Sequence, residues 1–474
     1  MKKDLYLVLS LLLFAVFAIC SCGNDDPMDD PMDDPLEEVL PEGATVMPEN
    51  AQPVGDVEAG RDYLFSGNYI SSGIPYSTFK SVFTDDDENV LGREGKNATI
   101  GPEYTAVDHF NGQKVVVANC MSCHGSRLPN GDYKVGLGNI NYDFTDDQTT
   151  LINAVRLKMT FDFGTEGPEW DAFRNFERAT ETVAPHIVTE TVGSNPADQL
   201  FTVLAAHRDP QTLEWIDEQQ YEFPNIVVPT DVPAWWTTGK KNNPLYMGVG
   251  QGNHSKLFMA AATLTLEDVA EAEEIESHFA DVMAFIRSIE APLYPYPSDE
   301  DLAAQGKLVF EASCQSCHGT YGENETYPNL YIDADVVGTD ALMQQQEIGG
   351  PFLNWFNSSW FASHGESGAL GVTGGYVAQP LDGIWATAPY LHNGSVPNLY
   401  TLLNSESRPS YWRRTADAEY DQDHVGNSFT EETSKVDQYT YDVTLMGYGN
   451  SGHIYGDHLS EENRMALIEY LKTL

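Results

Sequence analysis

The chain has 474 residues, of which 25 are Lys or Arg and 72 are Asp or Glu, for a formal net charge of −47. That balance works against nucleic acid and anionic lipid headgroups, which are polyanions, and suits a cationic redox partner or a neutral substrate. With 41% hydrophobic and 11% aromatic residues the chain is globular rather than disordered, and it is long enough for two or three domains.

The N-terminus reads as a targeting segment. Lys2 and Lys3 precede an apolar run from Leu5 to Ile19, too short for a comfortable membrane span. Ile19-Cys20-Ser21-Cys22-Gly23 follows. It is similar to a bacterial lipobox, which has an aliphatic residue three before the cysteine and a small one just before it, so Cys22 is the expected lipidation site. Residues 1–21 are then a signal peptide, and the protein is exported and anchored by lipid to the outer membrane, on its periplasmic or cell-surface face. Three acidic Asp-Asp-Pro repeats begin at Asp25, Asp29 and Asp33. Repelling carboxylates and recurrent prolines build no core, so residues 22–55 are expected to be an extended tether.

The two motifs that carry chemistry are Cys120-Met121-Ser122-Cys123-His124 and Cys314-Gln315-Ser316-Cys317-His318, each followed by glycine. Two thiols one helical turn apart can form thioethers with porphyrin vinyls, and the adjacent imidazole then serves as proximal iron ligand. A zinc ribbon sets its paired knuckles about 15–20 residues apart, far closer than these, and a redox dithiol needs no histidine at the next position. Two covalently attached haem c groups are therefore expected, held by Cys120, Cys123, Cys314 and Cys317, with His124 and His318 as proximal ligands. All cysteines outside the N-terminal segment lie in these motifs, so no structural disulfide is expected.

The segments entering the motifs, 112–119 and 306–313, both read as lysine-bearing apolar helical turns. Between the first motif and its closing helix lies a long insertion containing Trp235-Trp236, which could form an electron bridge or cofactor wall, or simply pack in the core. Ile275, Phe279, Val282, Ile286 and Ile289 recur at helical spacing, with Pro292, Pro295 and Pro297 beyond. Ser460 can cap a C-terminal helix carrying Met465, Ile468 and Leu471. The expected fold is mainly α: two cytochrome c-like haem domains, 56–295 and 296–474, with large loop-rich insertions.

The second insertion carries a loop dense in Gly, Pro, Trp, Tyr and His, from Gln379 through Ala388-Pro389-Tyr390-Leu391-His392-Asn393-Gly394 to Leu399. This stretch resembles the signature of the bacterial dihaem cytochrome c peroxidase superfamily. The haem-to-haem spacing, the Trp235-Trp236 segment and the C-terminal ending make the haem-c rubber oxygenases the most similar branch. The resemblance implies that His453 is the second axial ligand of the C-terminal haem, with His458 close by as an alternative. It places His392 beside a haem or between the haems and makes His124 the ligand of the reactive haem, while Trp236 is the tryptophan of the pair expected to line a cofactor. It also implies a calcium ion between the domains, although Asp85-Asp86-Asp87-Glu88 shows no loop motif for one. Among the other candidates, His254 could stand near the first haem, and Met247, Met259 and Met446 read more simply as packing.

Three functions fit this reading. A peroxidase would take electrons from a donor protein, an oxygenase would act on an apolar polymer or lipid, and an electron-transfer lipoprotein would keep both haems six-coordinate.

Overall fold

Two crossed helix pairs organise the chain. The computed structural model describes residues 40–83, 88–347, 350–415 and 419–474. The proposed signal peptide, Cys22, most of the tether and Asp85-Asp86-Asp87 lie outside the described residues.

The helix Val269–Ser288 starts at Asp268, whose carboxylate accepts from the Glu271 amide, and buries Ala272, Ile275, Phe279, Val282, Met283 and Ile286 on one stripe. It packs against the helix Val57–Ser66, capped by Asp56. A Cβ on Gly60 would lie 1.9 Å from the Asp281 carbonyl oxygen, so only glycine permits this crossing. The second pair repeats the device. Glu300–Ser313, capped by Asp299, crosses Glu461–Leu471, capped by Ser460, and a Cβ on Gly306 would lie 1.9 Å from the Ala466 carbonyl oxygen. Both expected closing helices are thus present, and each meets its partner at a glycine.

The approach to the first motif differs from expectation. Lys114–Ala118 is a β-strand, not a helical turn, paired with Tyr104–Asp108 on one side and Ile74–Pro75 on the other. Val115, Val116 and Val117 are all buried. A β-branched run buried on both faces fits a central strand and loses side-chain freedom in a helix. The helix that crosses Val269–Ser288 is therefore supplied from well upstream of the motif.

The mainly-α expectation is corrected in the same way: the described residues are 38% helix and 13% strand, with many sheets. Six small sheets occur among the described residues. Ala44–Val46 pairs with Leu330–Asp333, which also pairs with Gly375–Val377, and Gly250–Gly252 pairs with Gly368–Leu370. These short strands come from the loop-rich insertions, where local composition carries little strand signal and long-range pairing decides the conformation.

Residues Leu40–Leu474 form one compact unit. The largest core surrounds the first helix pair and draws in Trp355, Phe356, Trp360 and Phe361. A second surrounds the other pair, with Phe310, Trp385, Tyr390, Leu467 and Ile468. No described helix is long and apolar enough to cross a membrane.

Candidate haem sites

Local hydrogen bonds shape the first motif. The Asn119 side chain accepts from the Met121 amide at 2.7 Å and starts the short helix Met121–His124. The Cys123 and His124 carbonyls accept from Asn139 and Gly136 amides at 2.9 and 2.8 Å. Gly125 follows because a Cβ there would meet the Tyr133 hydroxyl at 2.0 Å. Burial pushes the Cys120 thiol up to about 11, against a hydrogen bond with Tyr69, and raises Cys123. Burial also pushes His124 down to about 3, keeping it the neutral imidazole that a metal requires. Its ring stacks on Trp235 at 4.4 Å and 20°, and its Nδ1 is buried without a hydrogen-bond partner.

At the second motif the helix Gln315–His318 directly continues Glu300–Ser313. Burial, with Cys317 adding, pushes Cys314 up to about 12, and burial raises Cys317. His318 Nδ1 lies 2.7 Å from the Gln379 carbonyl oxygen. A protonated Nδ1 donating there leaves Nε2 free as a ligand and orients the ring. Gly319 has φ +81°, and a Cβ there would meet the Thr326 carbonyl oxygen at 2.0 Å.

His453 is brought to His318 from far along the chain. Their ring centres are 6.3 Å apart, with planes at 62°. A metal bridging two imidazoles with metal–nitrogen bonds of about 2.0–2.1 Å sets ring centres roughly 6 Å apart. Desolvation, with His318 and the Arg408 guanidinium adding, pushes His453 down to about 3, so it too is neutral. Its Nδ1 has no hydrogen-bond partner. His458, the alternative, is exposed. The paired thiols, neutral imidazoles and orphaned ring nitrogens fit a haem at each motif. Among the described residues there is no cluster of three or more His, Cys, Asp or Glu side chains suited to a metal ion.

The remaining candidates fall around these two centres. His392 is buried, with its ring stacked on Tyr376 at 4.4 Å and its carbonyl accepting from the Asp231 amide at 2.7 Å. Burial lowers it to about 3. Trp236 points into the second core and donates from Nε1 to the Asp382 carbonyl at 2.7 Å. Trp235, one residue earlier, faces the first core against His124. The short 3-10 helix Trp235–Thr237 sends the neighbouring indoles to different cores, a separation that adjacency in sequence does not reveal. Met247 and Met259 are core residues, and Met446 is exposed.

His254 is 1% exposed, and both its ring nitrogens lack hydrogen-bond partners. Burial first, then Arg287, lowers it to about 4.

Three residues around the second centre had no sequence signal beyond the signature loop itself. Gln379 supplies the carbonyl to His318. Asn393 donates to the Gly447 and Gly449 carbonyls at 2.9 Å each. Arg408 holds the carbonyls of Asn450, Gly452 and His453. All three depend on contacts with distant backbone, which no local motif encodes.

Comparison with known proteins meets this same region. Residues 375–413 match the family described as "RoxA-like, cytochrome c-like". Over that stretch the chain is similar to RoxA-like cytochromes c. That stretch contains Gln379, His392, Asn393 and Arg408, and a cytochrome c-like segment implies haem c and a cytochrome c redox function.

Two curated proteins of Sinorhizobium fredii (strain NBRC 101917 / NGR234) are similar over longer stretches. "Uncharacterized protein y4iM" is 28% identical over 303 residues, covering 53% of this chain and 66% of that protein. "Uncharacterized protein y4iJ" is 40% identical over 238 residues, covering 37% of this chain and 39% of that protein. The chain thus spans just under two thirds and about two fifths of these relatives.

Proposed function

We propose that this protein is an exported dihaem c-type cytochrome acting as an oxidoreductase, with a reactive N-terminal centre on His124 and an electron-relay C-terminal centre closed by His318 and His453. The observation that carries this reading is the unequal surroundings of two chemically equivalent motifs. His318 faces a second imidazole at a metal-bridging distance, whereas among the described residues His124 makes its ring contact with Trp235. A haem c bound at each motif would supply the electron transfer and the oxygen or peroxide chemistry. The chain supplies ligation, tautomer control through the Gln379 carbonyl, and burial that keeps the imidazoles neutral.

Membership of the dihaem cytochrome c peroxidase superfamily is part of the proposal. Within it, residues 375–413 match RoxA-like cytochromes c and cover the loop that resembles the superfamily signature, while the likeness of the haem spacing, the Trp235-Trp236 segment and the C-terminal ending to haem-c rubber oxygenases favours dioxygen over peroxide as the oxidant. The haem-bearing halves would divide near Pro295. The partners would be that small oxidant and a donor or acceptor redox protein. Calcium between the halves belongs to the resemblance alone. Export and lipidation at Cys22 rest on the N-terminal apolar run and the lipobox-like Ile19-Cys20-Ser21-Cys22, and labelling with a fatty-acid probe tests them: Cys22→Ala should lose the label.

The deciding experiment is optical and EPR spectroscopy of the full haem-loaded protein, oxidised and partly reduced, with and without cyanide or carbon monoxide. One high-spin haem that binds the added ligand, lost in His124→Ala, beside one low-spin haem is the expected result. Two low-spin haems inert to ligand in both redox states would overturn the reactive centre and leave an electron carrier.

A further inference from the structure

His453 sits in an unusual backbone. Its φ is +45°, directly after Gly452 at +75°. Left-handed backbone is disfavoured for a residue with a Cβ and persists where surrounding contacts over-determine it. The loop is pressed against the chain at 338–339, because a Cβ on Gly452 would lie 2.2 Å from the Gly338 carbonyl carbon. The His453 amide donates to the Val337 carbonyl at 2.8 Å, and Ser451 Oγ to that of Gly338 at 3.1 Å. These contacts hold one side of the loop.

A single guanidinium holds the other. Arg408 Nη1 donates to the carbonyls of Asn450 at 2.6 Å and Gly452 at 2.7 Å, and Nη2 to that of His453 at 3.2 Å. Its remaining donors reach back to Thr401 at 3.0 Å and Leu402 at 2.9 Å, at the end of the helix Leu399–Leu402. All five acceptors are main-chain carbonyls, and among the described residues Arg408 forms no ion pair. Its planar fork therefore braces the helix end against the 450–453 loop. A lysine ammonium, with three donors at one point, cannot span both.

We propose that Arg408 is a positioning residue for His453: it fixes the loop so that the imidazole reaches the iron-facing position opposite His318. The inference rests on the reading of His318 and His453 as an axial pair and adds the element that sets their separation. Mutating the outer partners of metal ligands typically costs about 10–100-fold in metal affinity or activity.

The test uses the full haem-loaded protein. The low-spin EPR and optical signal of the second haem is first assigned by its loss in Cys314→Ala/Cys317→Ala. Arg408→Gln and Arg408→Lys are then compared with wild type, with His453→Ala, and with Phe173→Leu, a core change in a separate cluster that controls for lost stability. Both Arg408 variants should convert second-haem signal to high spin, or open that haem to cyanide by about 10–100-fold relative to wild type, at temperatures where all remain folded. Phe173→Leu should leave the signal unchanged.

If the Arg408 variants keep a wild-type low-spin signal inert to cyanide while His453→Ala turns high-spin, the positioning role falls and the axial pair stands. If His453→Ala itself leaves the signal intact, the axial reading fails and this inference with it. An equal shift in Phe173→Leu would reduce the effect to general destabilisation and also overturn the proposal.

Discussion

Gly306→Ala sets two effects against each other in one methyl group. Alanine is worth about 1 kcal/mol more than glycine in a helix interior, so on propensity alone the change should stabilise Glu300–Ser313. The new Cβ, however, would stand 1.9 Å from the Ala466 carbonyl oxygen, 2.5 Å from its carbon and 2.9 Å from Tyr470 Cβ. The first two are backbone atoms, so no rotamer change relieves the clash. Ordinary contact begins near 3.4 Å, which requires the helices to part by more than an ångström. A gap of about 0.5–1 Å already forfeits a quarter to a half of each dispersion contact, and Phe310, Leu467 and Ile468 are buried in this core. Overpacking costs about 1–3 kcal/mol; a clash with backbone that no rotamer relieves belongs at the upper end, so after the gain of about 1 kcal/mol in propensity we expect a net loss of up to about 2 kcal/mol. Urea unfolding of the haem-loaded protein, followed by far-UV circular dichroism, measures it. Ala304→Gly, at an exposed position of the same helix, reports the propensity term separately. A Gly306→Ala midpoint equal to or above wild type would refute the close crossing.

Further outcomes follow from other contacts. Asp231 is buried against Tyr246, and burial raises its carboxyl to about 8. Its protonated form favours the fold, so its stabilisation is complete below the unfolded value near 3.8 and is lost as pH rises through about 8. Wild-type unfolding free energy should therefore fall relative to Asp231→Asn by up to about 1.4 kcal/mol per pH unit across that window, and parallel profiles would contradict it. Trp235→Leu should shift the reduction potential of the haem proposed on His124. Trp236→Ala should leave that potential in place while costing about 3–5 kcal/mol of stability, and spectroelectrochemistry with denaturant titration separates the two. Asn393→Ala strips the Gly447 and Gly449 carbonyls of a buried donor, and a stability loss of about 2–4 kcal/mol is expected in the same titration.

The parts of this protein legible in its sequence are those whose chemistry closes within a few residues. Cys120 to His124 and Cys314 to His318 each contain both thiols and an imidazole on one helical turn. The two closing helices declare themselves by apolar spacing and caps, because the 3.6-residue period is a local property. The 112–119 segment misled because three consecutive valines carry no decisive period, and only pairing with strands 74–75 and 104–108 makes them β. The many small sheets lack a local sequence signal for the same reason.

Everything that distinguishes one centre from the other was decided by tertiary structure. Which indole meets His124 depends on a short 3-10 turn. Which histidine meets His318 depends on a left-handed loop held by Arg408, Asn393 and Gly338, whose contacts lie tens of residues away along the chain. Covalent reach and helical period act over a few residues and are written in order. Hydrogen bonds to distant carbonyls and the close approach permitted by a glycine exist only once the chain has folded.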